Sequence, residues 1–115
     1  MLVFTKMDIL IVDDDKDIVD MLECHFSGHY VVKAYDGLQG LSYLNHFCFD
    51  LVVSDVDMPN MKGDSMFYQF MQYDHKDVAK FVFMSGEEHL LPMGTSFLRK
   101  PFSFDELDKL VGGLL

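Results

Sequence analysis

Short apolar runs recur along the chain, separated by single Gly and Pro residues. Residues 9–12, 51–53 and 81–84 are continuously apolar, which is typical of strands buried on both faces of a parallel sheet. Residues 30–34 and 95–98 are more interrupted by polar side chains, as expected where one side of a strand meets solvent. The pattern therefore predicts three central strands and two edge strands.

Segments with the apolar spacing of helices lie between these runs. The positions expected to face the core are Ile18, Leu22, Cys24, His25 and Phe26, then Leu38, Leu41 and Leu44, then Met66, Phe67, Phe70 and Met71, and finally Leu107, Leu110, Val111 and Leu114. The last helix has the clearest start, because Ser103 and Glu106 have capping-box spacing and Phe102 and Leu107 fit a hydrophobic staple.

Strands that alternate with helices predict right-handed crossovers and a doubly wound α/β sheet. In such a sheet, ligands bind at the carboxyl ends of the central strands. Half of the residues are apolar, which is enough for one core, and we expect a single domain over residues 1–115.

The formal net charge is -10 at pH 7. It disfavours direct contact with nucleic acid or an anionic membrane, because a binder must neutralise the negative charge that both carry. The sequence has neither a signal-peptide pattern nor an apolar run long enough to span a bilayer, so we expect a cytoplasmic protein.

Cys24 and Cys48 lie among apolar residues, and we expect reduced thiols in the core rather than a disulfide. The five histidines lack the paired spacing of a zinc site, and we predict no chemistry for them. They are His25, His29, His46, His75 and His89.

Polar and charged residues follow four of the predicted strands at the edge where ligands bind. They are Asp13, Asp14 and Asp15 after the first strand, Ser54 and Asp55 after the third, Ser85 after the fourth, and Lys100 with Pro101 after the fifth. Taken alone, the Asp triplet also fits a helix N-terminus, where Asp caps free backbone amides. Crowded carboxylates need a cation to stay ionised, and Mg²⁺ prefers a few carboxylates plus waters and phosphate. Together, the strand ends provide a nucleophile, a hydroxyl and a charge clamp for phosphoryl transfer.

From about Asp8 to the C-terminus, the sequence resembles the response-regulator receiver domains of two-component signalling. The matching pieces are Ile9-Leu-Ile-Val-Asp-Asp-Asp15, Ala34-Tyr-Asp-Gly37, Asp50-Leu-Val-Val-Ser-Asp-Val-Asp-Met-Pro59 with Gly63, Phe81-Val-Phe-Met-Ser-Gly86, and Phe97-Leu-Arg-Lys-Pro-Phe102. The resemblance implies a flavodoxin-like sheet in the order 2-1-3-4-5. It also implies a phosphoacceptor domain that accepts a phosphoryl group from a histidine kinase or histidine phosphotransfer domain. Phosphorylation and dephosphorylation would be self-catalysed and Mg²⁺-dependent, and would switch the conformation of the domain.

The resemblance assigns the metal and phosphoryl site to four aspartates. Asp55 would be the phosphorylated residue, Asp14 a direct metal ligand, and Asp13 an acid that helps to hold the metal and its waters. The backbone carbonyl of Asp57 would complete the protein ligands.

Three further residues would respond to the phosphoryl group. Ser85 would donate a hydrogen bond to it, and Lys100 would pair with it, next to a Lys100–Pro101 bond expected to be cis. Phe97 matches the aromatic switch position of the family, although a Phe on an edge strand also fits ordinary packing.

The sequence departs from the family pattern in two respects. Asp57 and Glu87 add negative charge near the site, and the interval from Ser85 to Lys100 is about two helical turns short at ~1.5 Å per residue. Ser85 and Glu88 have capping-box spacing, but Pro92 and Gly94 follow, so the fourth helix should be about one turn long.

Such shortening resembles the receivers of hybrid sensor kinases. We therefore expect a monomer whose partners meet the first helix and the loops around Asp14, Asp55 and Lys100. Two alternatives remain open. One is a degenerate receiver that only binds proteins, and the other is a haloacid-dehalogenase-like phosphatase, suggested by the Asp-x-Asp pattern of Asp55 and Asp57.

Overall fold

The computed structural model describes residues 6–73 and 79–114. Five parallel strands form one sheet in the order β2-β1-β3-β4-β5, which confirms the expected fold class. The strands are β1 (Asp8–Val12), β2 (Tyr30–Ala34), β3 (Leu51–Asp55), β4 (Lys80–Ser85) and β5 (Ser96–Arg99). The predicted bounds agree with these to within two residues, and the two strands predicted as edges do lie at the edges.

Helices cover both faces of the sheet. They are α1 (Lys16–His25), α2 (Gly37–His46), α3 (Gly63–Phe70) and α4 (Phe104–Leu114). Leu10 and Val52 pack in one core with side chains of α2 and α3, whereas Ile9 and Leu51 pack in a second core with α1 and α4. The continuous apolar runs of β1 and β3 are therefore explained, since each strand has a core on both sides. None of these helices is long and apolar enough to cross a membrane.

Asp and Ser side chains cap three of the helices. Asp15 accepts a hydrogen bond from the Asp17 N–H at 3.0 Å, and Asp36 accepts one from the first turn of α2 at 2.8 Å. Ser103 accepts from the Glu106 N–H at 3.1 Å and donates to the Glu106 carboxylate at 3.3 Å, which confirms the predicted capping box. Within the Asp triplet, Asp15 is therefore a helix cap, as the alternative interpretation of the triplet predicted.

The fourth helix expected from sequence is absent, because residues 86–95 form an irregular connection between β4 and β5. Pro92 and Gly94 interrupt this segment, and Gly94 has a left-handed φ of 83°. Ser85 Oγ accepts from the Glu87 N–H at 3.1 Å, so the predicted capping-box bond to Glu88 does not form. The shortening is therefore greater than we predicted, because not even the expected single turn of helix remains.

Several residues expected in the core lie at the surface. Cys24 and Cys48 are free thiols, but both are exposed. Cys24 follows the buried Leu22 by two positions, which at ~100° per residue places it on the far side of α1. Leu38 and Met71 are also exposed, at the start of α2 and just after α3. The buried faces of these helices are therefore narrower than the sequence pattern predicted.

The start of α3 packs directly against the end of β3. The Gly63 N–H donates to the Val56 carbonyl at 2.9 Å, and a Cβ at Gly63 would lie 2.1 Å from the Asp55 carbonyl oxygen. Only glycine allows this approach, which fixes the loop that follows Asp55.

We predict that Gly63→Ala lowers the free energy of unfolding by about 1–3 kcal/mol, because the added methyl group collides with backbone atoms. Gly112→Ala is the matched control, since no atom lies within 4 Å of its Cβ position in α4. Alanine there should be neutral or stabilising by up to ~1 kcal/mol. Urea unfolding measures both changes, and wild-type stability of Gly63→Ala would contradict the close approach.

Candidate functional site

The carboxyl ends of the parallel strands bring the predicted site residues to one edge of the sheet. Asp13 directly follows β1, Asp55 ends β3, Ser85 ends β4, and Lys100 directly follows β5. Val12 is paired with Ser54, so Asp13 and Asp55 continue neighbouring strands at the same level. The register of the sheet, rather than any local motif, places these residues side by side.

A single ammonium group bridges two buried carboxylates. Lys100 Nζ lies 2.9 Å from Asp13 Oδ2 and 3.5 Å from Asp55 Oδ1. Asp13 is fully buried and Asp55 is 7% exposed. The Asp15 N–H donates to Asp13 at 2.9 Å, and the Val56 N–H donates to Asp55 at 2.9 Å. These charge-assisted hydrogen bonds hold both carboxylates in fixed orientations.

Asp14 completes a cluster of three carboxylates. Oxygen atoms of Asp13, Asp14 and Asp55 lie within 4.8 Å of one another, and Asp14 is exposed. Two or three carboxylates beside open solvent are the ligand set that Mg²⁺ prefers, because this ion keeps several waters. The residues present therefore fit a magnesium ion at this position.

Burial and mutual repulsion disfavour the charged carboxylates. Burial, followed by the Asp13 charge, raises the pKa of Asp55 from 3.8 to about 6, although Lys100 partly opposes this. Burial also raises the pKa of Asp13. Burial alone would lower the pKa of Lys100, but its hydrogen bond to Asp13 and the two carboxylate charges outweigh burial and raise that pKa. Lys100 is thus held as a cation, and the site retains an excess of negative charge.

Ser85 and Phe97 lie on the β4–β5 side of the site. Ser85 is 3% exposed, and its hydroxyl is 3.0 Å from His89 Nε2. Phe97 is partly buried on β5, opposite Phe83 in the strand register, and lines a groove beside residues 86–95. The Lys100–Pro101 bond is cis, as expected.

Asp57 lies apart from the carboxylate cluster. Its side chain is 3.1 Å from His89 Nε2 and 3.8 Å from Lys62 Nζ. Ligating atoms of Asp57, Glu87 and His89 lie within 4.8 Å of one another. Any metal contact by Asp57 in the first cluster therefore depends on its backbone carbonyl, as the sequence resemblance implied.

Sequence reasoning missed the position of His89, for which we predicted no chemistry. In the sequence, His89 lies four residues after Ser85, which is close enough to suggest a contact. Its other partner, Asp57, is 32 residues away in the chain and could not be identified from sequence. Among the other histidines, His25 pairs with Asp108 at 2.7 Å and His46 with the Ser42 carbonyl at 2.7 Å, while His75 lies outside the described residues.

The chain matches the family model of the response regulator receiver domain over residues 9–112. It is 33% identical over 105 residues to the uncharacterized transcriptional regulatory protein YrkP of Bacillus subtilis, covering 86% of this chain and 45% of that protein. It is 31% identical over 121 residues to hybrid signal transduction histidine kinase D of Dictyostelium discoideum, covering 98% of this chain and 8% of that protein. The chain thus spans less than half of each of these relatives.

The fold is also similar to solved receiver structures. Response regulator TrrA of Thermotoga maritima, crystallised in complex with Mg²⁺-BeF, is 28% identical with a TM-score of 0.82. The alignment covers 96% of this chain and all of that one. The receiver domain of the hybrid histidine kinase CckA is 29% identical with a TM-score of 0.76, over 92% of this chain and 96% of that one.

The raised pKa of Asp55 predicts how stability depends on pH without divalent metal. The folded state favours the protonated Asp55 carboxyl. Protonation therefore stabilises the folded state fully below pH 3.8, and this stabilisation is lost as pH rises through about 6. Asp55→Asn should therefore be more stable than the wild type at pH 7–8, by on the order of 2 kcal/mol. This gain should shrink toward pH 4. Chemical unfolding in EDTA across this range measures it.

The matched control for this experiment is Asp20→Asn, because Asp20 is exposed on α1. Its stability difference from the wild type should show no comparable pH dependence. If Asp55→Asn gives the same small difference at pH 4 and pH 8, burial does not raise the pKa of Asp55.

Proposed function

This chain belongs to the response regulator receiver domain family, and from that membership we propose that Asp55 is the phosphoacceptor of a two-component signalling pathway. The family consists of signalling domains rather than conventional enzymes. The observation that carries the assignment is the position of Asp55: a buried carboxylate at the end of a central strand, 3.5 Å from the Lys100 ammonium and beside two further carboxylates.

The proposed reaction transfers a phosphoryl group from a histidine side chain. A carboxylate oxygen of Asp55 attacks phosphorus, the phosphorus–nitrogen bond breaks, and the donor imidazole leaves and takes up a proton. In the separate dephosphorylation step, water attacks phosphorus and the phosphorus–oxygen bond to Asp55 breaks, which releases inorganic phosphate and restores the Asp55 carboxylate. Both steps would be catalysed by the receiver itself, and both use groups that are already positioned.

The residues that would hold Mg²⁺ are Asp13, Asp14, Asp55 and the backbone carbonyl of Asp57. Bound there, the ion would neutralise carboxylate charge and the negative charge of the phosphoryl oxygens. Asp13 would orient the ion while its second oxygen keeps Lys100 in place at 2.9 Å. The crystal complex of TrrA with Mg²⁺-BeF supports this assignment by similarity.

Lys100 and Ser85 would bind the phosphoryl oxygens. Lys100 already lies between Asp13 and Asp55, so its ammonium can pair with a phosphoryl group on Asp55 with little movement. Ser85 would donate its hydroxyl hydrogen from the end of β4. Phe97, on the adjacent strand, would respond to the movement of Ser85, in line with its partly buried position beside the groove.

We propose that residues 1–115 act as one receiver domain in the cytoplasm and receive phosphoryl groups from a histidine kinase or a histidine phosphotransfer domain. The similarity to hybrid kinases supports this kind of partner. The net charge of -10 argues against direct binding of nucleic acid by this domain, although YrkP carries the name of a transcriptional regulator. Without a helix in residues 86–95, partners would meet α1 and the loops around the site, and the domain would remain a monomer.

Asp55→Asn should abolish phosphorylation by acetyl phosphate with Mg²⁺, because the amide provides no carboxylate nucleophile. Intact-mass measurement should show one added phosphoryl group on the wild type and on Asp20→Asn, and none on Asp55→Asn. Stoichiometric labelling of Asp55→Asn would refute the assignment. Labelling of neither the wild type nor the control would instead support a degenerate receiver that only binds proteins.

Asp14→Ala and Lys100→Ala should separate metal binding from phosphoryl binding. Asp14→Ala should weaken Mg²⁺ binding by about tenfold or more, since even outer-shell changes have effects of this size. Lys100→Ala should bind Mg²⁺ at least as tightly as the wild type, because it removes a competing cation, but should bind beryllofluoride less tightly. NMR titrations measure both affinities. Unchanged Mg²⁺ affinity in Asp14→Ala would exclude Asp14 as a ligand, and lost Mg²⁺ affinity in Lys100→Ala would contradict the clamp role.

A further inference from the structure

His89 joins the loop after β3 to the end of β4, beside the phosphoacceptor site. Its Nε2 atom lies 3.0 Å from the Ser85 hydroxyl, at the end of β4, and 3.1 Å from Asp57 Oδ2, in the loop after β3. The imidazole is 23% exposed, so it is largely packed against the protein. His89 therefore contacts the same hydroxyl that the proposed function requires for the phosphoryl group.

The Asp57 contact places the ring proton on Nε2, because a carboxylate oxygen can only accept a hydrogen bond. The Nε2–H is therefore shared between Asp57 Oδ2 and Ser85 Oγ, and both oxygens accept it. The Glu87 N–H also donates to Ser85 Oγ at 3.1 Å. Among the described residues, the Ser85 hydroxyl has these two partners and makes no hydrogen bond to Asp55. Both partners hold the oxygen toward residues 86–95.

Few side-chain contacts hold the part of the segment that surrounds His89. Residues 86–95 form no helix, and residues 86–88 and 90 are exposed, with Leu90 at 99%. Farther along, Leu91 packs against the core and Pro92 is buried, so they anchor the end of the segment next to β5. Asp57 is half exposed and also pairs with Lys62 at 3.8 Å, so it can keep a cationic partner if His89 leaves. Release of His89 thus requires few other contacts to break.

We propose that His89 is a positioning residue whose hydrogen bond to Ser85 Oγ holds this hydroxyl away from the phosphoryl group. This inference rests on the proposed function, in which Ser85 binds a phosphoryl oxygen on Asp55. Binding of the phosphoryl group then breaks the Ser85–His89 contact, so the segment that carries His89 loses one of its two contacts at Nε2. The Ser85–His89 hydrogen bond therefore stabilises the unphosphorylated conformation relative to the activated one.

Removal of the Ser85–His89 contact should strengthen binding of a phosphoryl analogue. A hydrogen bond of ordinary strength corresponds to about a fivefold change in affinity. His89→Ala should therefore bind beryllofluoride about fivefold more tightly than the wild type at saturating Mg²⁺, with unchanged Mg²⁺ affinity. His89→Gln should bind like the wild type, because the Gln amide can contact both Ser85 and Asp57 from a similar position.

Two controls separate this effect from general loosening of the protein. His46→Ala removes a histidine at the end of α2, just before β3 begins. His46 therefore lies toward the amino-terminal ends of the strands, whereas the site lies at their carboxyl ends. Leu90→Ala changes an exposed residue within the irregular segment itself. Both should bind beryllofluoride like the wild type. In the wild type, the ¹⁵N resonances of the His89 ring should shift on beryllofluoride binding, and those of His46 should not.

The measurement is an NMR titration of each variant with Mg²⁺ and then with beryllofluoride. Tighter beryllofluoride binding in His89→Ala alone, with a shift of the His89 ring resonances in the wild type, supports the proposal. Equal or weaker binding in His89→Ala, or equal strengthening in Leu90→Ala, overturns it while leaving the phosphoacceptor role intact. If the wild type binds Mg²⁺ but no beryllofluoride, the phosphoacceptor function itself fails, and this inference fails with it.

Discussion

The site depends on one electrostatic constraint: two buried carboxylates, Asp13 and Asp55, share the single ammonium group of Lys100. One cation cannot balance both charges, and the exposed Asp14 adds a third carboxylate. Burial raises the pKa of Asp55 to about 6, and the neighbouring Asp13 charge adds to this effect. A divalent cation removes the imbalance, so the proposed Mg²⁺ dependence and the crowding of acids have the same physical origin.

The fold maintains this crowding because the central strands offer no other place for polar groups. β1 and β3 are apolar on both faces, so charged side chains can lie only at their ends. The approach of Gly63 to Asp55 fixes one side of the site, and the Lys100 N–H, which donates to the Ser85 carbonyl at 2.8 Å, fixes another. The irregular residues 86–95 border the remaining side of the site.

Local sequence signals predicted those parts of the structure that depend on local physics. The apolar runs predicted the five strands, Ser103 and Glu106 predicted the start of α4, and the acids at strand ends predicted which residues meet at one edge. The exposure of Cys24 was not predicted, because apolar neighbours in sequence do not fix the side of a helix on which a residue lies. The contact between His89 and Asp57 was also beyond sequence reasoning, since only the parallel register brings these two loops together.

The same geometry indicates how charge at Asp55 can reach the surface. On the proposed chemistry, a carboxylate of charge -1 is replaced by a phosphoryl group of about -1.5 to -2. Lys100 is already held by Asp13, so it can move little in response. The β4–β5 segment carries Glu87 and Glu88, which the added charge repels, while the phosphoryl oxygens attract the Ser85 hydroxyl. Both effects separate Ser85 from His89, and the segment that loses this contact adjoins Phe97 through the groove that they line together. An irregular segment, rather than a helix, is therefore the element through which this receiver would convert charge into a change of surface.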